Sequence, residues 1–128
     1  MNTLKLEIVT PEGLIFSGNI KSATFPGTEG EFGVLPEHAA LMTALKAGVI
    51  EVEHESGKKE AIAISWGYVK VDEQKTMVLA EGAVAIGGDS ESEISSSLEA
   101  AKKLIESMNG TDVAVAMAKV ESFSRKSF

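Results

Sequence analysis

Any chemistry in this chain has to come from a short set of side chains. His38 and His54 are the only histidines, and there is no cysteine, so thiol nucleophiles, disulfides and cysteine-ligated metals are excluded. Ala63-Ile64-Ser65-Trp66-Gly67 has the look of a relaxed nucleophile elbow. That motif needs a strand-to-helix turn with distant acid and histidine partners, whereas Ser65 stands between two strand-like stretches and reads as a strand residue before a turn. Gly27-Thr28-Glu29-Gly30-Glu31-Phe32-Gly33 is glycine-rich. It lacks the lysine and spacing of a phosphate cradle, and its two glutamates would repel an anion, so it is expected to be a surface loop with Glu31 held in it. His38 with Glu29, Glu31 or Glu37 has the residue types for a metal site. No i, i+4 histidine pair or chelating spacing accompanies them, and no metal or other cofactor is expected. His54 precedes a turn and is expected to be solvated, and Trp66, the single tryptophan, is expected in the core.

The elements that must position these residues change character near residue 88. Thr3 to Thr10 alternates, with Leu4, Leu6 and Ile8 on one face and Lys5, Glu7 and Val9 on the other, which is the period of a strand. Pro11-Glu12-Gly13 ends it. Further strand-like stretches run over 14–16, 20–25, 49–53, 61–65, 68–71, 77–80 and 83–86, with turn signals at Ser56-Gly57 and over 72–75. Short strands without intervening helical patterns predict an antiparallel sandwich or barrel over residues 1–88.

After Gly88 the period becomes helical. Ser90 stands three residues ahead of Glu93, the spacing of a capping box. Ile94, Leu98, Ala101, Ile105 and Met108 form an apolar stripe, Asn109-Gly110 stops it, and Val113, Ala116, Met117, Val120 and Phe123 form a second. Residues 89–128 are therefore expected to be a C-terminal antiparallel two-helix hairpin whose modest apolar stripes need another surface for stability.

The chain has 128 residues, a formal charge of −7 and 44% hydrophobic residues, which describes a globular protein. The acidic balance argues against nucleic acid, where lysine and arginine must neutralise phosphates. No apolar run is long enough to span a bilayer, and no signal peptide pattern opens the chain. By itself this leaves open a β-sandwich enzyme or ligand binder using the Glu31 and His38 loop, and a structural sandwich serving some larger complex.

Val9-Thr10-Pro11-Glu12-Gly13 followed by Phe16-Ser17-Gly18, and above all FPGTEGEFGVLPEHAALMTAL from Phe25 to Leu45, continuing to Gly48-Val49-Ile50, resemble the epsilon subunit family of F-type ATP synthases. Val78-Leu79-Ala80 and the terminal helices fit the same pattern. The resemblance implies a β-sandwich of about ten strands followed by two helices. It also implies a noncatalytic central-stalk role, with one face on the gamma subunit and one end on the c-ring, coupling proton translocation to ATP synthesis. Glu29, Glu31 and His38 would then contact the c-ring. The helices would reach the alpha and beta subunits and restrain ATP hydrolysis, with Lys119, Arg125 and Lys126 as the contact groups. The chain would lie peripherally on the cytoplasmic face of the cell (inner) membrane, attached only through the complex. The sequence also departs from the family. Where some members open the first helix with an [IL]-D-x-x-R-A motif that binds ATP, Ile94 is followed here by Ser95, with Leu98 and Glu99 in the last two places. Arg125 is the only arginine, so no ATP binding is expected. Trp66 stands where the family usually has a small residue.

Overall fold

The structure is a computed structural model that describes residues 3–36, 39–73, 75–86 and 91–106. Ten strands and one helix follow in chain order. They are β1 (Leu4–Thr10), β2 (Gly13–Ile20), β3 (Ser22–Gly27), β4 (Gly30–Val34), β5 (Leu41–Leu45), β6 (Gly48–Glu53), β7 (Lys59–Ile64), β8 (Gly67–Val71), β9 (Lys75–Ala80), β10 (Ala83–Ile86) and α1 (Glu91–Glu106).

The strands pair in the order β10-β7-β6-β3-β5-β8-β9-β1-β2, with β4 added on β3. All pairs are antiparallel except β1 with β9. β3 and β5 share only the Gly27–Leu45 pair, so the path turns there and divides into two arms. Backbone bonds from Thr28 N–H to the Ala44 carbonyl (3.1 Å) and from Lys46 N–H to the Pro26 carbonyl (2.9 Å) fasten the corner. The inward residues of both arms meet in one core. Leu4, Leu6 and Ile8 of β1 pack with Ile20, Phe25, Val34, Ile50, Ile62, Ile64, Val69 and Val78, each nearly or fully excluded from water. The alternation read in β1 is the cause: leucine and isoleucine at every second position turn the same face inward.

The sandwich has the ten strands expected, but two of them replace a predicted loop and an unassigned segment. Residues 27–33 are not a surface loop. Thr28 and Glu29 make a two-residue turn, and Gly30 to Val34 return as β4 against β3, with Phe25 opposite Phe32 and Pro26 opposite Glu31. Gly30 sits at φ +133°, a conformation that a side chain strongly disfavours, and it starts the return strand. β5 pairs along β8 over five residues.

The helix begins at Glu91, directly after the serine of the capping spacing. It lies on β10 and β7. Leu98 and Ala101 are buried there, and the strand residues on that outer face are small or slender: Val84, Ala63 and Val49 are aligned across β10, β7 and β6, with Ile86 and Ala61 in the next row. Small residues let a helix approach a sheet closely, at the expense of buried area. The second helix expected over 111–123 lies outside the described residues. Among the described residues no helix is long and apolar enough to cross a membrane.

Candidate functional site: an apolar outer face and an acidic hairpin

Among the described residues, the side chains singled out for catalysis do not assemble into a catalytic site. Ser65 is 4% exposed, and its hydroxyl donates to the Glu81 carboxylate Oε2 (3.2 Å) and the Gly82 carbonyl (3.4 Å). It ties two turns together and presents no free nucleophile. His54 is not simply solvated: its Nε2 faces Glu60 Oε2 at 2.5 Å across the β6–β7 hairpin, and its ring lies 6.3 Å from that of Phe16. Glu29 and Glu31 are brought together on the β3–β4 hairpin, both exposed, Glu29 in the turn and Glu31 on the strand. Their expected companion His38 lies outside the described residues, as do Lys119, Arg125 and Lys126. Among the described residues no group of three histidine, aspartate or glutamate side chains could hold a metal ion. On α1, Ser95 is exposed and Leu98 faces the sandwich.

Trp66 is not in the core either. It is 53% exposed in the β7–β8 turn, and its ring meets that of Tyr68 edge-on, with centroids 6.4 Å apart and planes at 82°. This pair borders the most distinctive surface of the molecule. The outward positions of five strands line up through the strand register: Ala44 on β5 opposes Tyr68 on β8, Tyr68 opposes Leu79 on β9, Leu79 aligns with Val9 on β1, and Val9 opposes Leu14 on β2. Tyr68, Leu79 and Leu14 are all more than half exposed. Trp66, Tyr68, Leu79, Val9 and Pro11 line a shallow groove of about 410 Å³. A contiguous apolar strip of this kind on a folded surface marks an interaction site, because an isolated protein gains nothing from keeping it in water.

The strip has a charged margin. The next row across the same strands runs Met42, Lys70, Met77, Glu7 and Ser17. The Lys75 ammonium pairs with Glu7 at 2.5 Å, and its hydrogen bond holds the Glu7 carboxyl below the usual carboxylate range, against a smaller opposing effect of desolvation. A carboxylate lowered in this way adds stability above its unfolded pKa of about 4.3 and loses it as pH falls through the lower folded value. Lys75→Met is expected to return the Glu7 titration toward its ordinary value, which an NMR titration of the Glu7 side chain reads directly. An unchanged midpoint would show that the pair is not formed in solution.

One of the two surfaces offers apolar area with a charged rim and the other two exposed carboxylates on a short turn, an arrangement suited to docking. Comparisons with known proteins identify the family. Residues 3–86 match the family model described as ATP synthase, Delta/Epsilon chain, beta-sandwich domain. The chain is 61% identical over 116 residues to the protein named ATP synthase epsilon chain in a Nitratiruptor species, covering 91% of this chain and 90% of that one. It is 54% identical over 127 residues to the ATP synthase epsilon chain of Campylobacter fetus subsp. fetus, covering 98% of each. Its fold is shared with a chain in a cryo-EM structure of the Euglena gracilis mitochondrial ATP synthase OSCP/F1/c-ring, at TM-score 0.64 and 24% identity over 94% of this chain and 74% of that one. A chain in the Tetrahymena thermophila mitochondrial ATP synthase central stalk and c-ring structure gives TM-score 0.52 at 13% identity, covering 95% of this chain and 91% of that one.

Proposed function

The chain belongs to the ATP synthase epsilon-chain family, and from that premise we propose that its apolar outer face docks on the gamma subunit in the central stalk. The β3–β4 hairpin, with Glu29 and Glu31, meets the c-ring, with His38 close by. As an epsilon chain it is a noncatalytic subunit. Its contribution to coupling proton translocation to ATP synthesis is mechanical, through a rigid body that links two parts of a rotor. It reaches the membrane only through the complex, on the cytoplasmic face of the cell (inner) membrane.

The observation that carries this reading is the Ala44–Tyr68–Leu79–Val9–Leu14 row. Five strands contribute one outward apolar residue each, and the result is a flat stripe suited to the side of a long helix. Apolar centre and charged rim is the ordinary anatomy of a specific interface. Glu29 and Glu31 suit a second contact of different chemistry, since preorganised carboxylates on a short hairpin cost little conformational entropy on docking to polar loops.

The C-terminal helices supply regulation in this proposal. Seated, α1 rests on β7 and β10; released, the helices extend toward the alpha and beta subunits and oppose hydrolysis, through Lys119, Arg125 and Lys126. Among the described side chains of α1, Leu98 and Ala101 are the buried ones, and a contact of that size supports it, because it separates the seated form from the released one by little free energy. Reconstitution of the ATP synthase with the full chain, and with a chain ending at Gly88, tests the division of roles. The shorter chain is expected to support assembly and coupling and to let hydrolysis rise. Equal hydrolysis with both would remove the restraint and leave the docking role; loss of assembly with the shorter chain would remove the division of labour.

A further inference from the structure

The seat of α1 contains a feature that the apolar stripe does not account for. Gly82, in the β9–β10 turn, has no side chain where one would point at the helix: a Cβ there would lie 3.1 Å from Leu104 Cδ1 and 3.4 Å from Ser65 Oγ. Its backbone is outside the left-handed region, so conformation does not call for glycine at this position. What a larger residue would press on is the Leu104 side chain of the helix lying over it.

The turn itself is not free to retreat. Ser65 N–H donates to the Gly82 carbonyl (3.0 Å) and Glu81 N–H donates to the Trp66 carbonyl (3.0 Å), so residues 81–82 are bonded in both directions to residues 65–66. The Ser65 hydroxyl adds its contacts to the Gly82 carbonyl and the Glu81 carboxylate. Strain introduced at residue 82 therefore passes to Leu104, a half-buried side chain of the helix. Ala101 and Leu98 precede Leu104 on the helix by about one and two turns, and all three face the sandwich.

We propose that Gly82 is a notch that seats α1, so that the size of the side chain at position 82 sets the balance between seated and released helix. With glycine, Leu104 drops against the turn, and Leu98 and Ala101 close over β10 and β7. A branched side chain at 82 lifts Leu104 and opens the whole contact, because a helix of this length has little stability of its own in water. The proposal rests on the reading of α1 as a movable element.

The test is hydrogen exchange followed by mass spectrometry on the full chain, comparing wild type with Gly82→Val, Leu104→Ala and the double variant. In Gly82→Val, exchange over residues 91–106 is expected to rise about tenfold, with β3 and β6 unchanged. In the double variant, valine occupies the space that Leu104 leaves, and exchange over α1 is expected to return to within about threefold of wild type, a strong departure from additivity. Unchanged α1 exchange in Gly82→Val, faster exchange spread into β3 and β6, or a double variant no better than Gly82→Val would each overturn the notch. Hydrolysis by the reconstituted complex reads the other idea separately. Should α1 loosen while hydrolysis stays the same, the notch stands and the helix loses its role in restraint.

Discussion

Leu79→Glu is expected to weaken binding of the chain to the central stalk by about 30-fold or more, leaving its own stability nearly unchanged. Leu79 lies in the middle of the apolar row, between Tyr68 on one side and Val9 on the other, and is 54% exposed. In the free chain a glutamate there stays in water, so the fold loses little beyond β-propensity, worth a few tenths of a kcal/mol. On docking, the same carboxylate must leave water for an apolar contact with no designated partner. Hot-spot residues, which cluster near the centre of an interface, cost about 2 kcal/mol or more when disrupted, which is a factor of about 30 in affinity. Lys58→Glu, on the distant β6–β7 turn, changes the charge by a larger amount and is expected to have little effect. Binding of each variant to the gamma subunit with its c-ring, alongside a urea unfolding midpoint, checks the result. Equal affinity for Leu79→Glu and wild type would mean that the gamma contact lies elsewhere on the sandwich.

The features that decide this prediction differ in how far they can be read from sequence. The row depends on alternation, which Leu4-Lys5-Leu6-Glu7-Ile8-Val9 displays plainly, so β1 and most of the later strands are legible within a residue or two. The register is not. That Val9 lies beside Leu79, and Leu79 beside Tyr68, follows from which strands pair, and the β1–β9 pairing is parallel between segments about 70 residues apart. Trp66 lies outside the core, against expectation, for a related reason. Large apolar residues usually lie inside, but a face reserved for another protein has the same composition as a core until the strands are laid side by side. β4 is hidden because Gly30, Glu31 and Gly33 carry no inward apolar signal, leaving Phe32 and Val34 to mark a strand of five residues. His54 and Glu60 are six residues apart in sequence and meet only because the hairpin folds them across from one another. On α1 the stripe is visible through Leu98 and Ala101, yet it does not include Leu104, whose partner is a glycine that no hydrophobic pattern reveals. The Glu31 motif is legible in the resemblance, and its geometry as a strand residue beside a two-residue turn is not.

Gly67→Ala is expected to be among the most damaging small substitutions in the sandwich, lowering stability by about 3 kcal/mol. Gly67 opens β8 and is paired on both sides, with Leu45 of β5 and Ala80 of β9. A Cβ at this position would lie 2.2 Å from the Leu79 carbonyl oxygen and 2.9 Å from the Ala80 Cα. These are main-chain atoms of a paired strand and have no rotamer by which to move aside, so β9 must shift away and the β8–β9 ladder must open at its end. The damage reaches both the apolar row and the seat of α1: Leu79 and Tyr68 lose their common plane, and the Glu81 N–H bond to Trp66 that holds the adjoining turn is strained. Gly18→Ala provides the comparison. Gly18 lies in β2 opposite Leu6, and its added methyl would meet only the Phe16 ring at 3.8 Å, an ordinary contact, so its unfolding midpoint is expected to stay near wild type or rise slightly through the smaller entropy of the unfolded chain. A Gly67→Ala midpoint indistinguishable from that of Gly18→Ala would show that β9 can yield without loss. The glycine of the Ser65-Trp66-Gly67 turn is thus explained by the closeness of the neighbouring strand, and not by the strained turn that a nucleophile requires.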